Sequence, residues 1–370
     1  MAIEARVHRR GLFAGAGGAL LGAFASVRSS EAARVPAVSL ISAARIGETD
    51  GGVILDAEAL TGFALPARAH ALSRLPDGNI LLVGRRPGSF AAIVDPQQPR
   101  AHARTFSPIT GHRFAGHAAV HPDGRTLVTS EIDAETGDGV VVFRDLRTGV
   151  AQSTIAVGIE PHDLLFAGGG ERLVVAVGGI AKAADIKGPP INAGNIESCV
   201  LELEGKTGGL IRRHQLGAGM KSLSLRHMAL APDGETVAIG IQDQDRAELR
   251  PLMAVLRAGE QLELLPLPSG DAGMLRSYVG SVGIDTSGQF VASTSPKGGM
   301  VGLWSMQDGL WLGGFALTDV CGLAADAEAG CFYVTSGLGD VVKLRASTSG
   351  FAAQSRWNVP VAFDNHLLKI

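Results

Sequence analysis

The stretch HAAVHPDGRTLVTSEIDAETGDGVVVFRD, residues 117–145, decides the fold. A short apolar strand that begins at His117 is followed by a Pro-Asp-Gly turn, a second strand, a polar loop and a third strand. An Asp-Gly turn between two apolar runs is a strong hairpin signal. Self-similarity with a period of about 40–50 residues is typical of the blades of a β-propeller.

The same unit recurs along the chain. Complete copies open at His70, His117, His162, His227, Ser281 and Cys321. Residues 363–370 supply one further innermost strand, opened by His366, and residues 38–43, 52–55 and 62–65 supply three more strands. Pairing of the two chain ends closes the ring and removes exposed sheet edges. The sequence therefore predicts an all-β, seven-bladed propeller with the general plan of the YVTN, WD40 and quinoprotein propellers.

Residues 1–33 are predicted to be an export signal that is not part of the fold. Arg9 and Arg10 precede an apolar, Gly/Ala-rich run, which is typical of a twin-arginine signal with cleavage near residue 25 or 33. An ordinary export signal with two chance arginines is the alternative. Residues 34–370 are then a single propeller domain in the periplasm. We expect no membrane span after cleavage, because no other stretch is long and apolar enough.

The amino-acid composition is typical of a fold in which many tight turns join short strands. The 370 residues are 46% hydrophobic and only 5% aromatic, and they include 50 glycines. The formal net charge is −3 and becomes more negative when the basic signal is removed. This charge argues against nucleic acid or an anionic membrane as a partner, and we expect a monomer. Cys199, Cys321 and Cys331 are predicted to be mostly free, buried thiols.

The residues that open the innermost strands are the candidate metal ligands. In a propeller these residues lie near the axis on one face, together with the loops that join the second and third strands of each blade. The candidates are His70, His117, His162, His227, His366 and Cys321. Imidazole and thiolate are the usual ligands of Zn, Cu and Fe, so the pattern predicts a transition metal or haem at the axis. A polar lining of the channel without a metal is the alternative.

Arginines cluster near the residues that open the innermost strands and form a candidate anion-binding or ligand-binding set. Its members are Arg68, Arg85, Arg113, Arg226 and Arg276. Guanidinium groups around a pocket favour carboxylates and other oxyanions, whereas inter-blade ion pairs are the alternative. Asp163, Asp319 and Asp364 lie within two residues of His162, Cys321 and His366 and are candidates to orient metal ligands. The sequence carries no nucleophile or metalloprotease motif, so no catalytic residue is assigned.

The blade sequences resemble the DUF1513 family of exported bacterial proteins. The resemblance is carried by LPARAHALSRLPDG (65–78), RRPGSFAAIVD (85–95), SLSLRHMALAPDG (222–234) and RSYVGSVGIDTSGQFVASTSPKGG (276–299), among other stretches. It implies a periplasmic seven-bladed propeller with a twin-arginine signal, often encoded beside imelysin-like, iron-regulated proteins. It further implies a part in iron or other metal acquisition, and it implies no reaction and no catalytic residues.

Two classes of function remain open from the sequence. The first is a binding protein that holds a metal, a metal chelate or a partner protein, such as a periplasmic iron-uptake protein, on its His/Arg-lined axial face. The alternative is a metal-dependent enzyme, either a lactonase-like hydrolase or an oxidoreductase, which uses the same site. A hydrolase would need a carboxylate base beside the metal, and the sequence identifies none.

Overall fold

The computed structural model describes residues 38–57, 59–181, 190–245 and 248–370. Within these ranges the chain forms seven antiparallel sheets of four strands each. The innermost strand of every sheet contacts the innermost strands of the two neighbouring sheets, so that the sheets close a ring. The predicted seven-bladed propeller is thereby confirmed. The predicted export signal, residues 1–33, lies outside the described residues.

The blades are numbered in chain order, and each is given from its innermost to its outermost strand. Blade one contains β4 (Ala69–Arg74), β5 (Ile80–Gly84), β6 (Ala91–Val94) and β7 (Arg104–Phe106). Blade two contains β8 (His112–Val120), β9 (Thr126–Asp133), β10 (Asp138–Asp145) and β11 (Ala151–Ile159). Blade three contains β12 (Pro161–Ala167), β13 (Arg172–Val177), β14 (Cys199–Glu204) and β15 (Leu210–Gln215). Blade four contains β16 (Leu223–Leu230), β17 (Val237–Asp243), β18 (Met253–Leu256) and β19 (Glu263–Leu264).

The remaining blades complete the ring. Blade five contains β20 (Ser281–Ile284), β21 (Phe290–Ser295), β22 (Met300–Ser305) and β23 (Trp311–Ala316). Blade six contains β24 (Val320–Ala325), β25 (Cys331–Ser336), β26 (Asp340–Ser347) and β27 (Gly350–Asn358). Blade seven contains β28 (Ala362–Lys369), β1 (Leu40–Ile46), β2 (Thr49–Leu55) and β3 (Leu60–Ala64). Short helical turns are α1 (Ser269–Ala272) and the 3₁₀ turns Gly168–Gly170, Ala218–Met220 and Gly273–Leu275.

Ring closure joins the two ends of the described chain in blade seven. Strand β28 pairs with β1 in antiparallel register, with Leu40 opposite Lys369. The Ile370 N–H donates a hydrogen bond to the Ser39 carbonyl at 2.8 Å. This is the predicted closure by one C-terminal and three N-terminal strands, and it is confirmed.

The hydrophobic core lies between neighbouring blades. Every residue of β5, β6, β17 and β18 is buried, because both faces of these strands are covered by adjacent sheets. One apolar cluster joins Val128 of blade two to Leu164 and Leu173 of blade three. The three cysteines are free and buried, as predicted.

Irregular pairing of the innermost strands positions the axial side chains. In five blades the pairing register between the first and second strands shifts at a histidine. In blade seven these two strands are β28 and β1. His162, for example, is the unpaired residue between Pro161 and Asp163, which pair with Val177 and Ala176. Such a β-bulge re-aims a side chain out of the regular alternation of the strand. Each of these histidines is therefore turned towards the axis.

No helix in the described part of the chain is long and apolar enough to cross a membrane.

Candidate metal centre

Five imidazole rings, one from each of five blades, converge on the propeller axis. They belong to His70, His117, His162, His227 and His366, which we call the axial histidines. Among the ring pairs in contact, centroid separations run from 4.5 Å, between His162 and His227, to 6.2 Å, between His70 and His162. Four of these residues are buried and His366 is partly exposed. The structure thus brings together all five histidines that the sequence singled out.

The ring nitrogens lie at separations close to those of a shared metal ion. One nitrogen from each of His70, His117, His227 and His366 lies within 4.8 Å of the others. His162 Nε2 and His227 Nε2 hydrogen-bond each other at 3.1 Å, a bond that this pair would exchange for an ion if both nitrogens became ligands. Two nitrogens bound to one ion at about 2.0–2.1 Å can be no more than about 4.2 Å apart. Side-chain adjustments below about 1 Å would therefore complete coordination, whereas no room exists between the rings for a porphyrin.

Each axial histidine has a buried ring nitrogen without a hydrogen-bond partner among the described residues. These atoms are His70 Nδ1, His117 Nε2, His162 Nδ1, His227 Nδ1 and His366 Nε2. An unpaired buried polar atom is costly and calls for a structural explanation. His121 shows the contrast, because its Nδ1 accepts the Asp123 N–H at 3.0 Å and its Nε2 bonds the Gly170 carbonyl at 3.1 Å. His214, on the outermost strand of blade three, also leaves its Nδ1 unpaired, so what sets the axial histidines apart is that five such rings converge on one place.

Asp163 orients one of the rings. Its Oδ1 lies 2.9 Å from His117 Nδ1, and its Oδ2 accepts the Met228 N–H at 2.8 Å. This contact leaves His117 Nε2 as the free nitrogen, the pattern in which a carboxylate positions a metal-ligating imidazole. The sequence placed Asp163 beside His162 of its own blade, but the carboxylate bonds the histidine of the preceding blade. Neither of the other two candidates, Asp319 and Asp364, hydrogen-bonds a histidine within the described ranges.

Burial keeps four of the five axial rings neutral. Burial, followed by the charges of neighbouring rings and arginines, lowers the pKa of His70, His162 and His227 well below its usual value. The same causes, burial first, lower the pKa of His366 to about 3. Neutral imidazole carries the lone pair that binds a metal, so these rings need not lose a proton at neutral pH.

Blades five and six contribute no ligand to the cluster. The Cys321 Sγ–H points at the carbonyls of Thr335 and Phe363, at 3.5 and 3.4 Å. Burial raises the pKa of Cys321 to about 12, so the thiol stays protonated. Ser281 donates its hydroxyl to the Asn365 carbonyl. Among the residues that the structure describes, the donor set is therefore imidazole alone, and blades five and six present no ligating side chain to the axis.

The predicted arginines divide into two groups. Arg68 and Arg85 both pair with the buried Asp364, whereas Arg226 pairs with the buried Glu160, with Nη1 2.8 Å from Oε1. Inter-blade ion pairing, the alternative reading of these arginines, thus describes three of the five. Arg113 is exposed and bonds the His112 carbonyl at 3.1 Å, and Arg276 is exposed on a loop.

Two charged residues of this site were not among the predicted site residues. Arg86 of blade one reaches past blade two to Glu160, which also accepts the Ile180 N–H at 3.0 Å. A comparison of the blade sequences could have identified Glu160, because it precedes His162 by two residues, as Arg68 precedes His70.

Backbone strain marks the same face of the propeller. The non-glycine residues with positive φ in the described ranges are Glu160, Arg276, Ser277 and Asp319. All four lie in loops that lead into innermost strands, on the face that we call the mouth. Residues held in the left-handed region cluster at functional sites, because the surrounding structure must maintain them at a cost.

The family assignment follows from a profile described as "Protein of unknown function (DUF1513)", which matches residues 63–370. The chain belongs to this family. The match runs from β3 to the C-terminus and includes all five axial histidines of this DUF1513 protein. A search of the curated proteins finds no match.

Solved structures similar to this DUF1513 protein agree on the fold. Hydrazine synthase of Kuenenia stuttgartiensis aligns with 15% identity and a TM-score of 0.61 over 90% of this chain and 100% of the other. A functionally unknown protein from Desulfotomaculum acetoxidans aligns with 12% identity and a TM-score of 0.61 over 90% and 98%. A chain of a mitotic checkpoint complex aligns with 12% identity and a TM-score of 0.58 over 81% and 88%. At these identities the likeness shows the propeller fold alone.

Proposed function

We propose that this protein is a metal-binding propeller whose axial histidines hold one transition-metal ion. The observation that carries the proposal is the set of five converging imidazoles, each with an unpaired buried nitrogen. A donor set of neutral nitrogens suits Zn, Cu, Fe and Ni, whereas Mg²⁺ and Ca²⁺ prefer oxygen. The ring nitrogens of four blades already lie within 4.8 Å of one another, so binding needs little rearrangement.

The biological role that we propose is iron or other metal acquisition in the periplasm. Support comes from the twin-arginine pattern at Arg9 and Arg10 and from the nitrogen ligands, which suit iron among other metals. The twin-arginine pathway exports proteins that are already folded, so a metal could be inserted before export.

We favour binding over catalysis because the nearby carboxylates are already engaged by other side chains. Asp163, Glu160 and Asp364 are each engaged by a histidine or by arginines. A hydrolase that activates a metal-bound water needs a carboxylate free to accept its proton. We therefore keep the lactonase-like or oxidoreductase activity as the alternative.

Metal analysis of the natively exported protein tests the proposal. We expect about one Fe, Zn, Cu or Ni ion per chain. The paired substitution His117→Ala and His227→Ala should remove the ion, since it deletes two ligands. His102→Ala, at an exposed position outside the axis, is the matched control and should retain it. Absence of metal after reconstitution, or equal metal content in both variants, would contradict the proposal.

A further inference from the structure

A layer of charged side chains covers the axial histidines on the mouth side. Arg68, Glu160 and Asp364 each precede an axial histidine by two residues, which is about 6–7 Å of extended strand. Arg226 directly precedes His227, and Arg85 and Arg86 reach into the layer from the β5–β6 loop. We call Arg68, Arg85, Arg86 and Arg226 the mouth arginines.

The layer has more hydrogen-bond donors than it uses. Four guanidinium groups pair with two carboxylates, Glu160 and Asp364, and Asp319 precedes Cys321 in the same register. Each guanidinium has five N–H donors, and each donates one hydrogen bond to a carboxylate within the described residues. Arg226 Nε is buried and has no partner there. Arg68 and Arg85 keep 46% and 40% of their side-chain surface exposed, so these donors are accessible.

A metal ion below this layer would increase the positive charge. The imidazoles are neutral ligands, and Asp163 is the one carboxylate that bonds an axial histidine among the described residues. A divalent ion would therefore add positive charge beside the mouth arginines, and the neutral imidazoles would not offset it. Among the described residues, blades five and six present no ligating side chain to the axis, which leaves coordination positions on that side to an external ligand.

Building on the proposed function, we infer that the axial ion is bound together with a small carboxylate, which coordinates the ion and accepts hydrogen bonds from the mouth arginines. The same guanidinium groups already hold the carboxylates of Glu160 and Asp364, so their geometry suits this group. The ligand of the protein is then a metal–carboxylate complex rather than a bare ion. Metal and carboxylate should increase each other's affinity by the same factor.

Co²⁺ and acetate are the probes for the test. Full-length protein loaded with Co²⁺ is titrated with acetate at constant ionic strength, with the visible d–d spectrum as the readout. Co²⁺ affinity is measured by competition with a chelator, with and without acetate. We expect a saturable spectral change and an increase in Co²⁺ affinity of about tenfold, within the usual range of coupling between two sites.

Variants assign the effect to the mouth arginines. Arg85→Gln combined with Arg86→Gln should bind Co²⁺ without acetate but lose the increase in affinity. Arg147→Gln is the control, because Arg147 is exposed in the β10–β11 turn on the opposite face and should behave as the wild type. A full acetate response in the double variant would overturn the role of the arginines.

The outcomes separate the two proposals. If Co²⁺ binds and acetate changes neither the spectrum nor the affinity, the carboxylate inference fails and metal binding stands. If sulfate produces the response and acetate does not, the ligand class is wrong. If Co²⁺ does not bind, both proposals fail.

Discussion

At the scale of the residue, buried histidines in this propeller have two different chemical states. His214 bonds Glu202 of its own blade at 2.7 Å, and His121 of blade two uses both ring nitrogens, one of them on the Gly170 carbonyl of blade three. The five axial rings instead contact one another, and each keeps one buried nitrogen unpaired, an arrangement that is costly without a ligand. The difference lies in what surrounds the ring, because the residue type is the same.

Asp163→Asn tests how the axial rings are oriented. The substitution removes the negative charge beside His117 Nδ1 and so weakens the contact that presents His117 Nε2 to the ion. We expect metal affinity, measured by chelator competition, to fall about 10–100-fold, as for other partners that orient metal ligands. Asp123→Asn is the control, because Asp123 pairs with the structural His121 and not with an axial ring. Equal affinity of Asp163→Asn and the wild type would show that Asp163 does not orient the site.

At the scale of the element, ion pairs reinforce the strand that closes the ring. Asp326 directly follows β24, and its carboxylate bonds Lys343 of β26 and Lys369 of β28. Burial raises the pKa of Asp326, but the hydrogen bonds from the two lysines outweigh this effect and lower the pKa to about 2. Blade six is thereby linked to the last strand of blade seven.

Asp326→Asn should destabilise the protein in a pH-dependent manner. A carboxyl whose pKa is lowered on folding stabilises the fold above its ordinary value, 3.8, and loses this contribution as the pH falls towards 2. We expect the variant to lose roughly 2 kcal/mol of unfolding free energy at pH 7 and less below pH 4, measured by chemical denaturation. Asp50→Asn is the control, because the more exposed Asp50–Arg45 pair should contribute about 0–1 kcal/mol. A loss that is independent of pH would contradict this assignment.

At the scale of the whole molecule, the stability of the fold depends more on closure of the ring than on the order in which the chain passes through the blades. Strand β28 contacts β1, β4 and β24, so it joins blade seven to both neighbours and carries His366 to the axis. The end of β28 lies beside the start of β1, where Ile370 bonds Ser39. A turn between these residues would place all four strands of blade seven in the chain order of the other blades.

A matched pair of chains tests ring closure. A circular permutant that joins residue 370 to residue 38 by a short turn and opens at residues 107–111 keeps every strand. We expect it to melt cooperatively and to bind metal as the wild type does. A chain truncated after residue 361 loses β28 and should lose cooperative melting, because β1 becomes an open edge and blades one and six lose the strand that packs against them. Thermal unfolding followed by circular dichroism is the measurement, and a cooperative melt of the truncated chain would contradict the prediction.

The sequence by itself determined the number of blades, their strands and the closure of the ring. These features depend on local turns and on alternation within strands, as the Pro-Asp-Gly turn after His117 shows. The sequence also indicated which residues open the innermost strands. Only the tertiary structure decided how these side chains meet. Bulges and contacts between blades turn five histidines inward, turn Cys321 away, and pair Asp163 with His117 and Glu160 with Arg86. Such contacts join residues of different blades, and their geometry depends on how the sheets twist and pack around the axis.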